Sequence, residues 1–317
     1  GDSDVGDPHR LFCLVALFCL FAETGITLNP QHEYQALPAD YGIIYREFKV
    51  VTDDSITIRG WFMPAQDTLG IANFLVGHLP VPERFLKTAR PYQTIDSTRR
   101  PTVIICNGDA GNMAYLIYHA YHLFTAGFNV VLFDWRGFGH SDKWPAERNQ
   151  LCYSEYLDDY RAVIGYTASQ PEVDPDRIGL FGFSTGAYLS FAMAAESELV
   201  SAYAGRALMT SFDDVLPILK KLAPERNLYA PEDYPVELEP INASENINIP
   251  VFLIVGENDD RTPVWMSEKI ISKLKGPKQL WIVESAGHGG ANGPEYVASD
   301  EFFSRLETFF YNAFSDN

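Results

Sequence analysis

The chain has 317 residues, of which 46% are hydrophobic, so it is long enough and apolar enough to bury one large core. Its formal net charge is −18 at pH 7, which argues against partners such as nucleic acid or anionic membranes, because both require basic patches. The four cysteines do not form a disulfide framework and say little about the redox compartment. The composition leaves the oligomeric state open.

The N-terminal part of the chain contains an apolar run, residues 11–22. The run is shorter than the roughly 20 residues that span a bilayer, but it has the length of a signal-peptide core. The first ten residues carry three aspartates and one arginine, whereas a signal peptide begins with basic residues. Two interpretations of residues 1–30 stay open: an export or membrane-anchoring segment, or an apolar helix docked on a cytoplasmic protein.

Residues 31–317 alternate between short apolar, β-branched runs and helix-like stretches. This alternation predicts one α/β domain with about eight strands in a mostly parallel sheet, entered through an antiparallel pair and covered by helices on both faces. Strands are expected near residues 46–52, 55–63, 102–106, 129–134, 178–182, 206–210, 250–255 and 279–284, and helices near 111–126, 151–168, 185–196, 263–274 and 299–314. Two stretches exceed this minimal pattern, an insertion at residues 66–100 and the segment 211–249.

The most informative motif is Gly182-Phe-Ser-Thr-Gly186, which lies between an apolar run and a helix-like stretch. Glycines two residues either side of Ser184 let the backbone bend sharply and lift the hydroxyl above the sheet, beside the positive end of a helix. The motif therefore predicts a nucleophilic serine. A turn serine without chemistry is the alternative.

Two later strands end in polar loops. One leads into Glu257, Asp259 and Asp260, and the other leads into His288. The carboxyl ends of parallel strands meet at one edge of the sheet, so these groups are expected near Ser184. A serine hydroxyl needs a base to take its proton, and an imidazole base needs a carboxylate to fix its tautomer. The spacing alone leaves the choice among the three acids open.

A fourth segment combines a strand-like run with the glycine-rich loop 107–112. Acyl transfer creates an oxyanion, and one well-placed backbone N–H donor contributes roughly 100- to 1000-fold to the rate. The expected donors of this oxyanion hole are the amides of Asp109 and Thr185.

Together these ordered motifs, with the stretch Asp134-Trp-Arg-Gly-Phe-Gly-His-Ser141, resemble the α/β-hydrolase superfamily, specifically its small-lid serine esterase and serine aminopeptidase-like branch. The resemblance runs from about residue 46 to residue 314 and implies the α/β-hydrolase fold. It implies Asp259 as the acid and a short lid at residues 211–249, between strands 6 and 7. Two positions depart from the pattern: Asn107 replaces a histidine, and Asp109 replaces a neutral residue, so its carboxylate is expected to point away from the oxyanion.

The resemblance implies a serine hydrolase that cleaves carboxylic esters through a Ser184–His288–Asp259 triad and an acyl-enzyme, without a metal or an organic cofactor. A short lid favours small or medium acyl chains in a small-molecule ester substrate. Cleavage of amides or peptides stays open, as does a binding protein without turnover. His119 and His122 are three residues apart on a helix, and a structural role is favoured over a metal site. Aromatic side chains that could line the substrate pocket are Tyr115, Trp135, Tyr229 and Tyr234, and packing in the core or on the surface is the alternative for each of them.

Overall fold

The structure is a computed structural model that describes residues 26–67, 93–94 and 98–315. The apolar run 11–22 and most of the insertion 66–100 lie outside the described residues. Of that insertion, the two-residue strand Gln66–Asp67 pairs antiparallel with Gln93–Thr94. Within the described ranges, the helices all fall short of the length and apolarity that crossing a membrane requires.

Eight strands in the described part of the chain form one sheet. They are β1 (Arg46–Val51), β2 (Thr57–Met63), β3 (Arg100–Cys106), β4 (Asn129–Asp134), β5 (Val173–Phe183), β6 (Ala202–Arg206), β7 (Val251–Gly256) and β8 (Lys278–Val283). Their spatial order is β8-β7-β6-β5-β3-β4-β2-β1. The pairs β1–β2 and β2–β4 are antiparallel and the others parallel, which confirms the predicted sheet.

Helices cover both faces of this sheet. They are α1 (Ile117–Thr125), α2 (Tyr156–Ala168), α3 (Thr185–Glu196), α4 (Phe212–Leu222), α5 (Pro240–Ala243), α6 (Val264–Lys273), α7 (Pro294–Val297) and α8 (Ser299–Ser315). Short 3₁₀ helices span Pro38–Tyr41, Met113–Leu116, Val236–Leu238, Ser244–Asn246 and Gly290–Asn292.

The central strands are apolar on both sides because two separate cores flank the sheet, whereas the edge strands β1 and β8 are partly exposed. In β3, Ile104 and Cys106 pack into one core with residues of α2, α3, α4 and α6. Val103 and Ile105 pack into the other core, with residues of α1 and α8. Successive strand residues point to opposite faces, so a continuous apolar run marks a strand that is buried on both sides.

The sixth strand lies four residues before its predicted position: β6 is Ala202–Arg206 rather than 206–210. Ala207 has a φ of 57°, so the chain leaves the sheet directly after Arg206. Leu208 and Met209 are buried although they lie outside the strand. Their apolar side chains therefore looked like part of a strand in the sequence. The prediction was wrong here because apolar burial was taken for strand structure.

The segment 211–249 contains α4, α5 and two of the 3₁₀ helices. The helix α4 begins at the Ser211 hydroxyl, which accepts a hydrogen bond from the Asp214 amide at 3.2 Å. Its inward face buries Phe212, Val215 and Leu219. Phe212 packs against Tyr188 with ring centroids 4.7 Å apart, so α4 lies beside α3, the helix that follows β5.

Candidate active site

Ser184 occupies a sharp turn between β5 and α3, with φ 51° and ψ −119°. A non-glycine residue with positive φ is strained by about 1–3 kcal/mol and persists only where its surroundings hold it. The Ser184 amide donates to the Arg206 carbonyl at 2.9 Å, and the Ser184 carbonyl accepts from the Tyr188 amide at 3.0 Å. The main chain of the turn is thus fixed to β6 on one side and to α3 on the other.

Both glycines of the motif are required by close packing. A Cβ atom at Gly182 would collide with Ala187 and the Ser190 hydroxyl, and one at Gly186 would collide with the main-chain carbonyl of Asn107. Helix α3 therefore lies almost in contact with β5 and with the loop after β3. This close approach brings the Ser184 turn next to the loop after β3.

The structure brings Ser184, His288 and Asp259 into one hydrogen-bonded chain. The Ser184 Oγ lies 3.1 Å from His288 Nε2. The His288 Nδ1 lies 2.9 Å from Asp259 Oδ1 and 3.0 Å from Asp259 Oδ2. With Nδ1 protonated and donating to the carboxylate, Nε2 is free to accept the serine proton.

Asp259 is a buried carboxylate surrounded by donors. The amides of Arg261 and Thr262 donate to Oδ1 at 3.0 and 2.8 Å, and the Thr262 hydroxyl donates to Oδ2 at 2.9 Å. Burial opposes the charge, but His288 and these donors outweigh it and hold the pKa of Asp259 below its usual value. The group is therefore ionised at neutral pH. The neighbouring Asp260 is exposed.

The loop after β3 is held by the side chain of Asn107 and by a main-chain hydrogen bond. The Asn107 amide group donates to the Ala110 carbonyl at 3.2 Å, and its side-chain oxygen accepts from the Gly108 amide at 2.9 Å. The Asp109 carbonyl accepts from the Asn29 amide at 2.7 Å. Asn107 thus closes the turn itself, which gives a structural reason for its presence.

The carboxyl group of Asp109 stays within electrostatic range of His288. Burial raises the pKa of Asp109, while the charges of Arg261 and His288 act in the opposite direction. Asp109 also borders both cavities of the site. The Asp109 carboxyl group, which was expected to point away from the oxyanion, therefore interacts with His288.

Two cavities meet at His288, and Asp109, Arg261 and His288 border both of them. The smaller, of about 20 Å³, contains Ser184 and Thr185, and its apolar walls are Ile26, Leu151, Met209, Val215 and Leu219. The larger, of about 90 Å³, extends under the loop after β3, and its buried polar walls include His119, Arg206 and Glu295.

Comparison with known proteins shows the family of the chain. The profile of the prolyl oligopeptidase family matches residues 115–316, more than half of the chain. The chain belongs to this family. An uncharacterized Mycobacterium tuberculosis protein, Rv2307c, is 32% identical over 209 residues, which cover 66% of this chain and 69% of that protein.

Solved structures share the fold of this chain, which agrees with the predicted α/β-hydrolase fold. The Pyrococcus furiosus esterase Pf2001 superposes with a TM-score of 0.67 at 19% identity, over 91% of this chain and 98% of that one. A puromycin-hydrolyzing peptidase of Mycobacterium tuberculosis superposes with a TM-score of 0.65 at 15% identity, over 88% of this chain and 40% of that one. At these identities the likeness shows the fold alone. The family and the fold together make the protein a serine hydrolase of the α/β-hydrolase type.

The aromatic residues proposed for substrate contact lie in different places. Tyr115 borders the larger of the two cavities, as proposed for a residue that contacts substrate. Trp135 and Tyr234 are only 2% and 5% exposed, pack in the core and border neither cavity, so the prediction for them is corrected. Tyr229 is 37% exposed, donates to Glu147 at 3.2 Å and also borders neither cavity.

Several residues at the site were missed from the sequence. Thr262 bonds the acid, and Arg206 and Glu295 form a buried ion pair beside His288. Thr262 comes three residues after the acid, a position that could have been noticed. Arg206 and Glu295 had no local signal, because their contact joins distant segments. His119 also faces Glu295, with Nε2 4.0 Å from Oε1, and His122 stacks on Phe303 with ring centroids 3.7 Å apart.

Proposed function

We propose that the protein cleaves carboxylic esters with small to medium acyl chains, with Ser184 as nucleophile, His288 as general base and acid, and Asp259 as the orienting carboxylate. One observation carries the proposal, the unbroken chain of short contacts from the Ser184 hydroxyl through both nitrogens of His288 to the buried Asp259. Its reactive end is held in a strained turn at the mouth of a cavity.

The arrangement of these groups determines the chemistry. His288 takes the proton of Ser184 as the hydroxyl attacks the ester carbonyl, and then returns it to the leaving alcohol. Water repeats both steps on the acyl-enzyme. Asp259 keeps the Nδ1–H tautomer and stabilises the imidazolium that forms. The amides of Thr185 and Asp109 are the proposed donors to the oxyanion. His288 therefore carries every proton transfer in the cycle, and the main-chain amides only donate hydrogen bonds.

The preference for short acyl chains is supported by the smaller cavity. Its volume of about 20 Å³ accommodates little more than one water-sized group, since a single water needs about 10–15 Å³. Val215 and Leu219 of α4 close one side of it. The segment 211–249 thus acts as a short lid over the acyl group. The charge of −18 further favours a small neutral ester over nucleic acid as substrate.

Hydrolysis of p-nitrophenyl acetate and butyrate, combined with covalent labelling by a fluorophosphonate, tests the proposal. The intact protein should react with both, and Ser184→Ala should abolish labelling. Ser272→Ala is a matched control, because Ser272 is exposed on α6 and donates only to the Lys269 carbonyl at 2.7 Å. Intact protein that neither turns over nor labels would instead support a binding protein.

Cleavage of amides or peptides is the second candidate, favoured by membership of the prolyl oligopeptidase family and by the fold shared with a puromycin-hydrolyzing peptidase. The same triad serves both reactions, so the leaving group distinguishes them. An aminoacyl p-nitroanilide and a p-nitrophenyl ester with the same acyl group should be compared by kcat/KM. Faster anilide cleavage would reverse the order of the two candidates.

A further inference from the structure

Arg206, the last residue of β6, contacts two of the loops that carry the proposed triad. Its carbonyl accepts the Ser184 amide at 2.9 Å. Its guanidinium donates through Nη1 to the main-chain carbonyl of His288 and through Nη2 to Glu295 Oε1, the latter at 2.8 Å. Arg206 is only 3% exposed. One buried residue therefore connects the serine turn to the histidine loop.

The Arg206 guanidinium is also held by contacts with Phe183 and Glu295. Its central carbon lies 3.5 Å from the centroid of the Phe183 ring, and Phe183 immediately precedes the nucleophile. Glu295, in the short helix α7, is 3% exposed. Burial raises the pKa of Glu295, and the Arg206 charge offsets only part of that rise, while Nη2 of Arg206 stays 2.8 Å from Glu295 Oε1. Burial and Arg206 lower the pKa of His119 to about 3, so His119 adds no charge to this pair.

The histidine loop needs such an anchor. Two glycines come directly after His288, and Gly290 has a φ of 61°. Glycines leave the backbone many alternatives, so the position of the imidazole depends on contacts made by the loop. A reacting geometry tolerates little error, and a displacement of about 1 Å can cost about 100-fold in rate.

We propose that Arg206, held in place by Glu295, is a positioning residue that fixes the His288 loop so that the imidazole stays within reach of Ser184. This inference rests on the proposed function. It assigns a role in catalysis to a residue that does not touch the reacting atoms and that acts through the carbonyl of His288.

Arg136 provides a matched control within the same chain. Its side chain is also buried and ion-paired, with Nε 2.8 Å from Asp159 Oδ1, and its guanidinium carbon lies 4.8 Å from the centroid of the Trp144 ring. Its partners Asp159 and Asp54 lie outside the proposed triad and its two cavities. Loss of Arg136 should therefore lower stability without changing turnover per folded molecule.

The test compares Arg206→Met and Arg136→Met by thermal unfolding, by steady-state hydrolysis of p-nitrophenyl acetate and by the rate of fluorophosphonate labelling. We expect Arg206→Met to lower kcat by about 100-fold with KM within about threefold of the wild type, and the labelling rate to fall in parallel. Arg136→Met should retain the wild-type kcat. A wild-type kcat in folded Arg206→Met overturns the inference.

If Arg206→Met does not fold, two other variants, Arg206→Lys and Arg206→Ala, test the same inference. Arg206→Lys keeps the charge but reaches only one of the two acceptors, so its kcat should lie between those of Met and wild type. In Arg206→Ala, guanidinium ion at millimolar concentration should raise kcat at least tenfold, since the site borders the cavity of about 90 Å³. Full activity of Arg206→Lys, or no rescue of folded Arg206→Ala, counts against positioning. Wild-type protein that fails to label shows instead that the proposed function is wrong.

Discussion

Replacing Asp259 by asparagine tests the link between the acid and the imidazole. Asp259 receives only donors: the amides of Arg261 and Thr262, the Thr262 hydroxyl and the His288 Nδ1–H. An asparagine offers one oxygen and an NH₂ group, so at least one of these donors meets another donor. If that donor is Nδ1–H, the imidazole gains by moving its proton to Nε2, and it can no longer accept from Ser184.

This tautomer change sets the size of the expected loss. A wrong tautomer costs about 10⁴ in turnover in a comparable triad, which corresponds to about 5.5 kcal/mol of transition-state free energy. The assay is kcat for p-nitrophenyl acetate, with folding verified by thermal unfolding. Asp260→Asn is the control, because it removes the same charge from an exposed neighbour. Normal turnover in Asp259→Asn together with a large loss in Asp260→Asn would refute the assignment of the acid.

Three further changes test the surroundings of the site. Asp134 accepts hydrogen bonds from the Tyr34 hydroxyl at 2.6 Å and from the Met113 amide at 2.7 Å. Burial raises the pKa of Asp134 from 3.8 to about 7. The stability that the protonated carboxyl group contributes is therefore fully present below about pH 4 and is lost as the pH rises through 7. Because of this group, the free energy of unfolding measured with denaturant should be up to about 3 kcal/mol higher at pH 5 than at pH 8. The difference should shrink in Asp134→Asn, and an unchanged difference in that variant would contradict the prediction. Leu219→Ala should move the preferred p-nitrophenyl ester to a longer acyl chain, by roughly fourfold in kcat/KM per added methylene, while an unchanged chain-length profile would show that α4 does not limit the acyl group. Asp109→Asn should raise kcat/KM for neutral esters up to about tenfold at a pH where the carboxyl group is ionised, because it removes a negative charge near the oxyanion, and a lower value would mean that the carboxylate assists the reaction.

The strand-end rule explains why much of the site was predictable. Ser184, Asp259 and His288 each lie in a loop or turn that follows a parallel strand, and parallel strands bring the loops at their carboxyl ends to one edge of the sheet. The apolar runs marked these strands without any knowledge of their pairing. Among the described strands, only β6 was displaced, because Leu208 and Met209 are buried outside it.

Aromatic side chains carried much less information. Trp135 donates to the Tyr160 hydroxyl at 3.2 Å, and Tyr234 packs against Tyr188 and Phe212. These contacts are formed between elements far apart in the sequence. A tyrosine or tryptophan after a strand fits a core as well as a pocket, so residue type and local position could not separate the two outcomes.

The segment after residue 25 had no recognisable pattern, yet it supports the site. Asn29–Pro30 pairs in parallel with Ala110–Gly111, and Ile26 borders the smaller cavity. The Thr27 hydroxyl accepts from Arg226 at 2.6 Å, which connects this segment to the region after α4. A two-residue strand is too short to leave a periodic signal, so only the tertiary structure reveals it.

Backbone strain links these contacts to the proposed chemistry. The non-glycine residues with positive φ in the described chain are Ser55, Ser184, Ala207 and Ser285, and the last three lie just beyond the C-terminal ends of β5, β6 and β8. Each such turn costs free energy and must be held by the packing around it. The three turns direct Ser184, the Arg206 carbonyl and guanidinium, and His288 toward a common point. Strain at any one of these turns is relieved by moving a strand end, and the contacts of Arg206 that join the turns oppose that relaxation. This is why a residue that does not touch the reacting atoms is expected to control turnover.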